Sequence, residues 1–258
     1  MSEPAEIRTA LVTGAGGGMG REIARMLLAR GVRVAVADLG EADLRATLGE
    51  HAANGMIMAG DLTADDAAES AVGRLIERWG QLDVLVNNAA FGAIEPLLAS
   101  KRRTWELTFA INVIALAMLT SAAGRRMKEA GSGRIVNITS PASRMAIPNY
   151  AAYAASKAAV DSITRSAAVA LAPFGVLVNS VAPGMMDTDM QRSTEAELAR
   201  LEGRTDIDAF LAERTARIPL GRRAEVAEIA RSVVWMALDA PDYMLGERLN
   251  MSGGLDKD

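Results

Sequence analysis

Short apolar runs alternate along the chain with longer stretches in which apolar positions recur every three or four residues. The short runs predict strands at Thr9–Val12, Val32–Ala37, Met56–Ala59, Val84–Val86, Arg134–Ile138, Val176–Ser180 and Arg248–Met251. The helical spacing predicts helices near Gly20–Arg30, Glu41–Glu50, Ala64–Trp79, Lys101–Lys128, Tyr153–Leu171 and Ala224–Leu238. Such alternation is the βαβ pattern of an α/β fold, a doubly wound parallel sheet with helices on both faces. No proline-rich linker or repeat interrupts it, so a single domain over 1–258 is expected. The clearest irregularity is a polar, charged insertion at about 184–221, between a strand and the last long helix. Insertions at the carboxyl edge of a parallel sheet commonly shape binding sites.

Composition narrows the picture. Half of the 258 residues are apolar and 23% are charged, which suits a packed globular core. A formal net charge of −4 offers no basic excess for nucleic acid or anionic lipid, so small molecules are the expected partners. With no cysteine and only one histidine, His51, neither disulfides nor a metal site is expected, and a reducing cytoplasm is the compartment that fits. Met1 to Ala10 lacks the apolar core of a secretory leader. Leu107 to Gly124 runs eighteen residues without a charge, the length of a membrane span. Its Thr108, Asn112, Thr120 and Ser121, and its setting among other buried segments, point instead to a core or subunit-interface helix.

The first strand ends in Thr13-Gly14-Ala15-Gly16-Gly17-Gly18-Met19-Gly20 and leads straight into a helix, the context a dinucleotide-binding turn requires. Glycines allow close approach to a pyrophosphate, and the helix N-terminus offers amide donors and a partial positive charge. Asp38 follows at the end of the second strand, where a carboxylate accepts bonds from ribose hydroxyls and repels a 2′-phosphate. Neither Gly17 nor Leu39 supplies a cation to offset that repulsion, so NAD is the expected cofactor.

Tyr153 and Lys157 stand one helical turn apart, on one face. A phenol titrates near ~10, and a fixed ammonium beside it is expected to lower that value toward usefulness as an acid–base group. Ser140, at the end of the Arg134–Ile138 strand, has a hydroxyl fit to hold the same substrate oxygen.

These features in this order resemble the short-chain dehydrogenase/reductase family over nearly the whole chain. Its Thr-Gly-x-x-x-Gly-x-Gly turn is matched by Thr13, Gly14, Gly18 and Gly20, its adenine-contacting acid by Asp61 followed by Leu62, and its Asn-Asn-Ala-Gly by Asn87-Asn88-Ala89-Ala90. Asn112, Ser140, Tyr153 and Lys157 match its catalytic set, and Pro183-Gly184 and Thr188 its nicotinamide-end motif. The resemblance implies a Rossmann-type fold and hydride transfer between a nicotinamide and a secondary alcohol or ketone. It implies that Lys157 also binds the nicotinamide ribose, that Asn112 holds a relay water, and that Thr188 reaches the carboxamide. Family members commonly assemble as homotetramers through the helices corresponding to Lys101–Lys128 and Tyr153–Leu171. The departures are Ala90 for glycine, Pro141 after the serine, Met186 for a β-branched residue, and Ser252-Gly253-Gly254 for Asp-Gly-Gly.

Substrate walls are expected from the segment after Ser140, including Arg144 and Asn149, from the Phe91–Ile94 turn, and from Met185 and Met190 in the insertion. Arg144, Arg192, Arg200 and Arg204 are candidate partners for an anionic substituent. The insertion resembles that of polyol, sugar and small-diol dehydrogenases. Two alternatives stand beside that reading: a reductase of oxoacyl thioesters or hydrophobic ketones, and a non-catalytic NAD-binding sensor.

Overall fold

In a computed structural model of the protein, residues 8–92 and 94–256 are described. The leader expectation for Met1 to Ala10 therefore falls largely outside the described residues, as does Ala93 of the Phe91–Ile94 turn.

Seven parallel strands form one sheet in the order β3-β2-β1-β4-β5-β6-β7. They are β1 (Thr9–Thr13), β2 (Arg33–Asp38), β3 (Gly55–Ala59), β4 (Val84–Asn87), β5 (Gly133–Ile138), β6 (Val176–Pro183) and β7 (Arg248–Met251). Every predicted strand is present. Alternation along them divides the core into two layers. Ala10, Val12, Val34, Val36, Val84 and Val86 pack with α1 (Gly18–Ala29) and α9 (Val226–Leu238). Leu11, Ala35, Ala37 and Leu85 face the other side, with α3 (Ala67–Trp79), α5 (Leu116–Ala130) and α6 (Ala151–Leu171). The remaining helices are α2 (Glu41–Leu48) on the edge, α4 (Arg102–Phe109) leading into α5, and α7 (Asp189–Leu201) and α8 (Ile207–Ala216) in the insertion.

The expected uninterrupted helix over Lys101–Lys128 needs correction. Between α4 and α5 the chain makes a π-helical turn at Ala110–Ala115, with Asn112 buried inside it. The Arg102–Ala130 helix is long and apolar enough to cross a membrane, yet half of its most apolar window is buried within the protein. Leu116, Leu119, Ala123 and Met127 supply that buried face. Helix α9 begins on a capping box in which Glu225 and Glu228 each bond the other's backbone N–H.

Strand order reverses between β1 and β4, since the chain winds outward from β1 to β3 before crossing to β4. A doubly wound sheet opens its binding crevice at the carboxyl ends of such a pair.

Candidate active site

The crevice is a cleft of about 750 Å³ running from the end of β2 to the insertion. At the β1–β4 reversal, the buried Thr13 hydroxyl accepts from the amides of Asn88 and Ala89, both at 3.0 Å. The Asn88 side chain donates back to the carbonyl oxygens of Thr13 at 2.9 Å and Gly14 at 3.0 Å. These bonds close the two strand ends onto each other and leave no room for side chains. A Cβ on Gly20 would collide with the Gly14 carbonyl oxygen. Gly14 and Gly18 adopt positive φ of 64° and 50°, which a side chain would strain. Gly17, by contrast, faces open space at the start of α1, where the free amides of a helix N-terminus point.

Asp38 is held by two backbone donors, Gly16 N at 2.8 Å and Leu39 N at 2.7 Å. Its carboxylate is thus oriented at the lip of the cleft, with lone pairs left for a diol. The guanidinium of Arg21 is turned onto the Gly16 carbonyl and the Thr47 hydroxyl, away from the cleft. Asp61 accepts from the amide and hydroxyl of Thr63, each at 2.8 Å, and these bonds hold its carboxyl below the usual range. Tight glycines, an amide-bearing helix terminus and an oriented acid together fit a dinucleotide. The residues that would hold it are Gly14, Gly17, Gly18, Met19, Gly20, Asp38, Leu39, Asp61, Leu62, Asn88, Ala89 and Ala90. Gly16 acts from behind, through Asp38. Pro183, Gly184, Met186 and Thr188 line the opposite end, with Thr188 also capping α7 through Gln191 N.

Ser140, Tyr153 and Lys157 come together where β5 meets the first turns of α6, and all three line the cleft. Burial pushes the Tyr153 phenol up, against the pull of a hydrogen bond with Ser140. The net direction is opposite to the lowering expected from Lys157. The Lys157 ammonium lies 5.7 Å from the Tyr153 ring centroid and donates to the Ile138 carbonyl at 2.8 Å. Desolvation brings it down to about 8, with Asp161 working the other way. Asn112 does not line the cleft. Its side chain pairs with both backbone groups of Phe91, at 2.7 and 3.0 Å, and donates to the Ser156 hydroxyl at 3.0 Å. The arrangement can hold a substrate oxygen between a hydroxyl and a phenol and exchange one proton with it.

The substrate end differs more from expectation. Phe91, Met185 and Met190 line the cleft, but Arg144 and Asn149 do not. Asn149 serves the backbone: it sits in the left-handed region at φ 66°, and its carbonyl accepts from Glu95 N. Arg192, Arg200 and Arg204 are tied to Asp187 and Asp189, to Glu197, and to Glu213 respectively. The residues that do form the walls include Ile94, Met145, Ile147, Tyr150, Arg214 and Arg217. Ile94 and Met145 belong to segments the sequence already offered as walls, whereas Arg214 and Arg217 were not foreseen, because which positions at α8 face the cleft depends on how the insertion folds back.

Comparison with known proteins agrees with this geometry. The family profile described as "Enoyl-(Acyl carrier protein) reductase" matches residues 14–256. The sorbitol dehydrogenase of Cereibacter sphaeroides is 33% identical over 250 residues, covering 96% of each chain. An actinorhodin polyketide ketoreductase crystallised with NADPH superposes with a TM-score of 0.93 at 32% identity, covering 98% of each chain. An NAD+-bound xylitol dehydrogenase superposes at 0.91 and 29% identity, over 96% of this chain and 98% of that one. The chain belongs to the short-chain dehydrogenase/reductase family, and it is an oxidoreductase acting on CH–OH groups.

Proposed function

We propose that the protein is an NAD-dependent dehydrogenase that oxidises a secondary alcohol, or reduces the matching ketone, through Tyr153, Ser140 and Lys157. Bound nicotinamide supplies the hydride acceptor or donor. Tyr153 takes the hydroxyl proton in oxidation and returns it in reduction, Ser140 holds the substrate oxygen, and the Lys157 charge stabilises the phenolate. Asn112 positions this set from behind by fixing Phe91 and Ser156.

The observation that carries the NAD reading is the carboxylate of Asp38, oriented by two backbone amides at the lip of the cleft with Arg21 turned away. Small polyols, sugars and diols are the first substrate class, supported by the sorbitol and xylitol dehydrogenase relatives. A second reading, reduction of hydrophobic ketones, draws on the apolar walls at Ile94, Met145, Ile147 and Met190. Leu107, Ile114 and Met118 remain exposed along α4, the π turn and α5, which supports a homo-oligomer, a tetramer on family expectation. The cysteine-free sequence suits the cytoplasm.

The test follows reduced-nicotinamide absorbance with NAD and, separately, NADP across polyols, aldoses, vicinal diols and hydrophobic secondary alcohols, with Tyr153→Phe as control. Turnover of polar substrates with NAD, lost in the variant, is expected. Turnover confined to hydrophobic alcohols moves the substrate to the second reading, and a preference for NADP overturns the cofactor reading.

A further inference from the structure

Glu195 of α7 is almost fully buried, and its two oxygens are already matched by one arginine. Arg223 grips it with Nη1 and Nη2, both at 2.8 Å. Arg214 of α8 adds a third bond, Nε to Oε1 at 3.1 Å. Two guanidinium charges therefore share one carboxylate, and the excess positive charge belongs to the arginine that lines the cleft.

The outward edge of Arg214 is poorly used. Its Nη2 reaches the Met185 sulfur at 3.8 Å, a weak acceptor, and the neutral Tyr150 hydroxyl is its other partner on that side. Tyr150 stands beside it: burial raises that phenol and Arg214 draws it back. The other charges nearby do not cancel Arg214. Arg217 is paired with Glu213, Asp189 with Arg192, and Glu202 is exposed at the end of α7. A guanidinium only about one-sixth exposed, lining the cleft with a surplus charge and only a sulfur and a neutral phenol on its outward side, is placed to bind an oxyanion.

The place of Arg214 sets the spacing. Tyr150 packs edge-on against Tyr153, with ring centroids 6.3 Å apart, and Arg214 acts on Tyr150 whereas burial, Ser140 and Tyr150 govern Tyr153. Ile147, Met185 and Met190 give the same cleft apolar walls.

We propose that Arg214 is the carboxylate-binding residue of the substrate pocket, and that the substrate is a hydroxy or oxo acid whose reacting carbon and carboxylate are separated by several carbons. This rests on the reading of Tyr153 as the proton-exchanging group. A 2-hydroxy acid, with the two groups on adjacent carbons, is too short to span the site.

The test compares 5-hydroxyhexanoate with its methyl ester, and 2-hydroxyhexanoate with its own ester, in the whole protein with NAD. We expect kcat/KM to favour 5-hydroxyhexanoate over its ester at least tenfold, through KM, and no such preference in the 2-hydroxy pair. Arg214→Met should erase the preference, and Arg214→Lys should restore part of it, with melting temperature reporting whether the insertion still folds. Equal use of acid and ester by the unaltered protein overturns the carboxylate site and leaves the Tyr153 chemistry standing. Binding of 5-oxohexanoate and its methyl ester, read by calorimetry with reduced cofactor present, decides the matter independently of turnover. A tenfold tighter Kd for the acid supports the site, and equal Kd values overturn it even if Tyr153 proves inactive.

Discussion

The ammonium of Lys157 donates to the carbonyl oxygen of Ile138 at 2.8 Å, tying helix α6 to the end of β5. The bond fixes the lysine without neutralising it, and the buried charge is the more costly form. With the folded-state value at about 8 and the unfolded value near 10.5, the unfolded chain binds more protons between those limits. Stability therefore rises with pH through that window, by on the order of 3 kcal/mol if the whole difference is expressed. Urea unfolding of the cofactor-free protein at pH 7.5 and 9.5 should show this increase, and Lys157→Met should flatten it. Both cleft tyrosines are raised by burial, so their ionisation lies above the two pH values compared.

On the proposed reading, Asp38 chooses the cofactor by charge. Asp38→Ala removes the acceptor for the ribose hydroxyls and the repulsion of a 2′-phosphate together. The ratio of kcat/KM with NAD to that with NADP should fall by roughly tenfold or more, a change of about 1.4 kcal/mol. An unchanged ratio would show that cofactor choice is made elsewhere.

Gly20 lies where α1 crosses the β1 turn. In Gly20→Ala the new methyl would stand 2.5 Å from Asn88 Nδ2 as well as against the Gly14 carbonyl, both parts of the bonded β1–β4 junction. Overpacking of this kind costs about 1–3 kcal/mol. A lower melting temperature should accompany weakened NAD binding by fluorescence titration, whereas Gly17→Ala, facing open space, should leave the melting temperature unchanged.

Glu195 fastens the insertion. Burial works to raise its carboxyl, but bonds from Arg223, Gln191 and Arg214 together hold it below the usual range. A carboxyl so depressed contributes stability above its unfolded value and loses it as pH falls through the folded one. Glu195→Ala strands two arginines, and breaking a buried pair costs about 3–5 kcal/mol. Limited proteolysis within 184–221 should accelerate, and KM should rise more than kcat falls.

Much of this was legible from the chain alone. The seven strands were legible as short continuous apolar runs, because a sheet covered on both faces buries consecutive residues such as Ala10, Leu11 and Val12. The glycine turn, Asp38, Ser140, Tyr153 and Lys157 were legible because each answers to a local geometric requirement. The substrate end was not. Whether an arginine meets a ligand or a neighbouring carboxylate depends on tertiary placement, so Arg192, Arg200 and Arg204 looked no different from Arg214. Asn149 read as a polar wall residue, yet its use is conformational, since asparagine tolerates the left-handed backbone its turn demands. The π turn left no mark, because its apolar residues are those of an ordinary helix.

That turn makes the long helix a device counted in single residues. A π turn holds one residue more than the α-helix it interrupts, and each residue rotates a helix by about 100°. Winding Ala110–Ala115 as ordinary α-helix with the same residues would turn α5 by about 100° relative to α4, and the two would no longer present their present faces together. Either Asn112 would swing away from Phe91 and Ser156, or Leu119 and Met127 would leave the core. For anyone who recombines or redesigns this chain, the wide turn is the device that carries one extra residue without turning either flank.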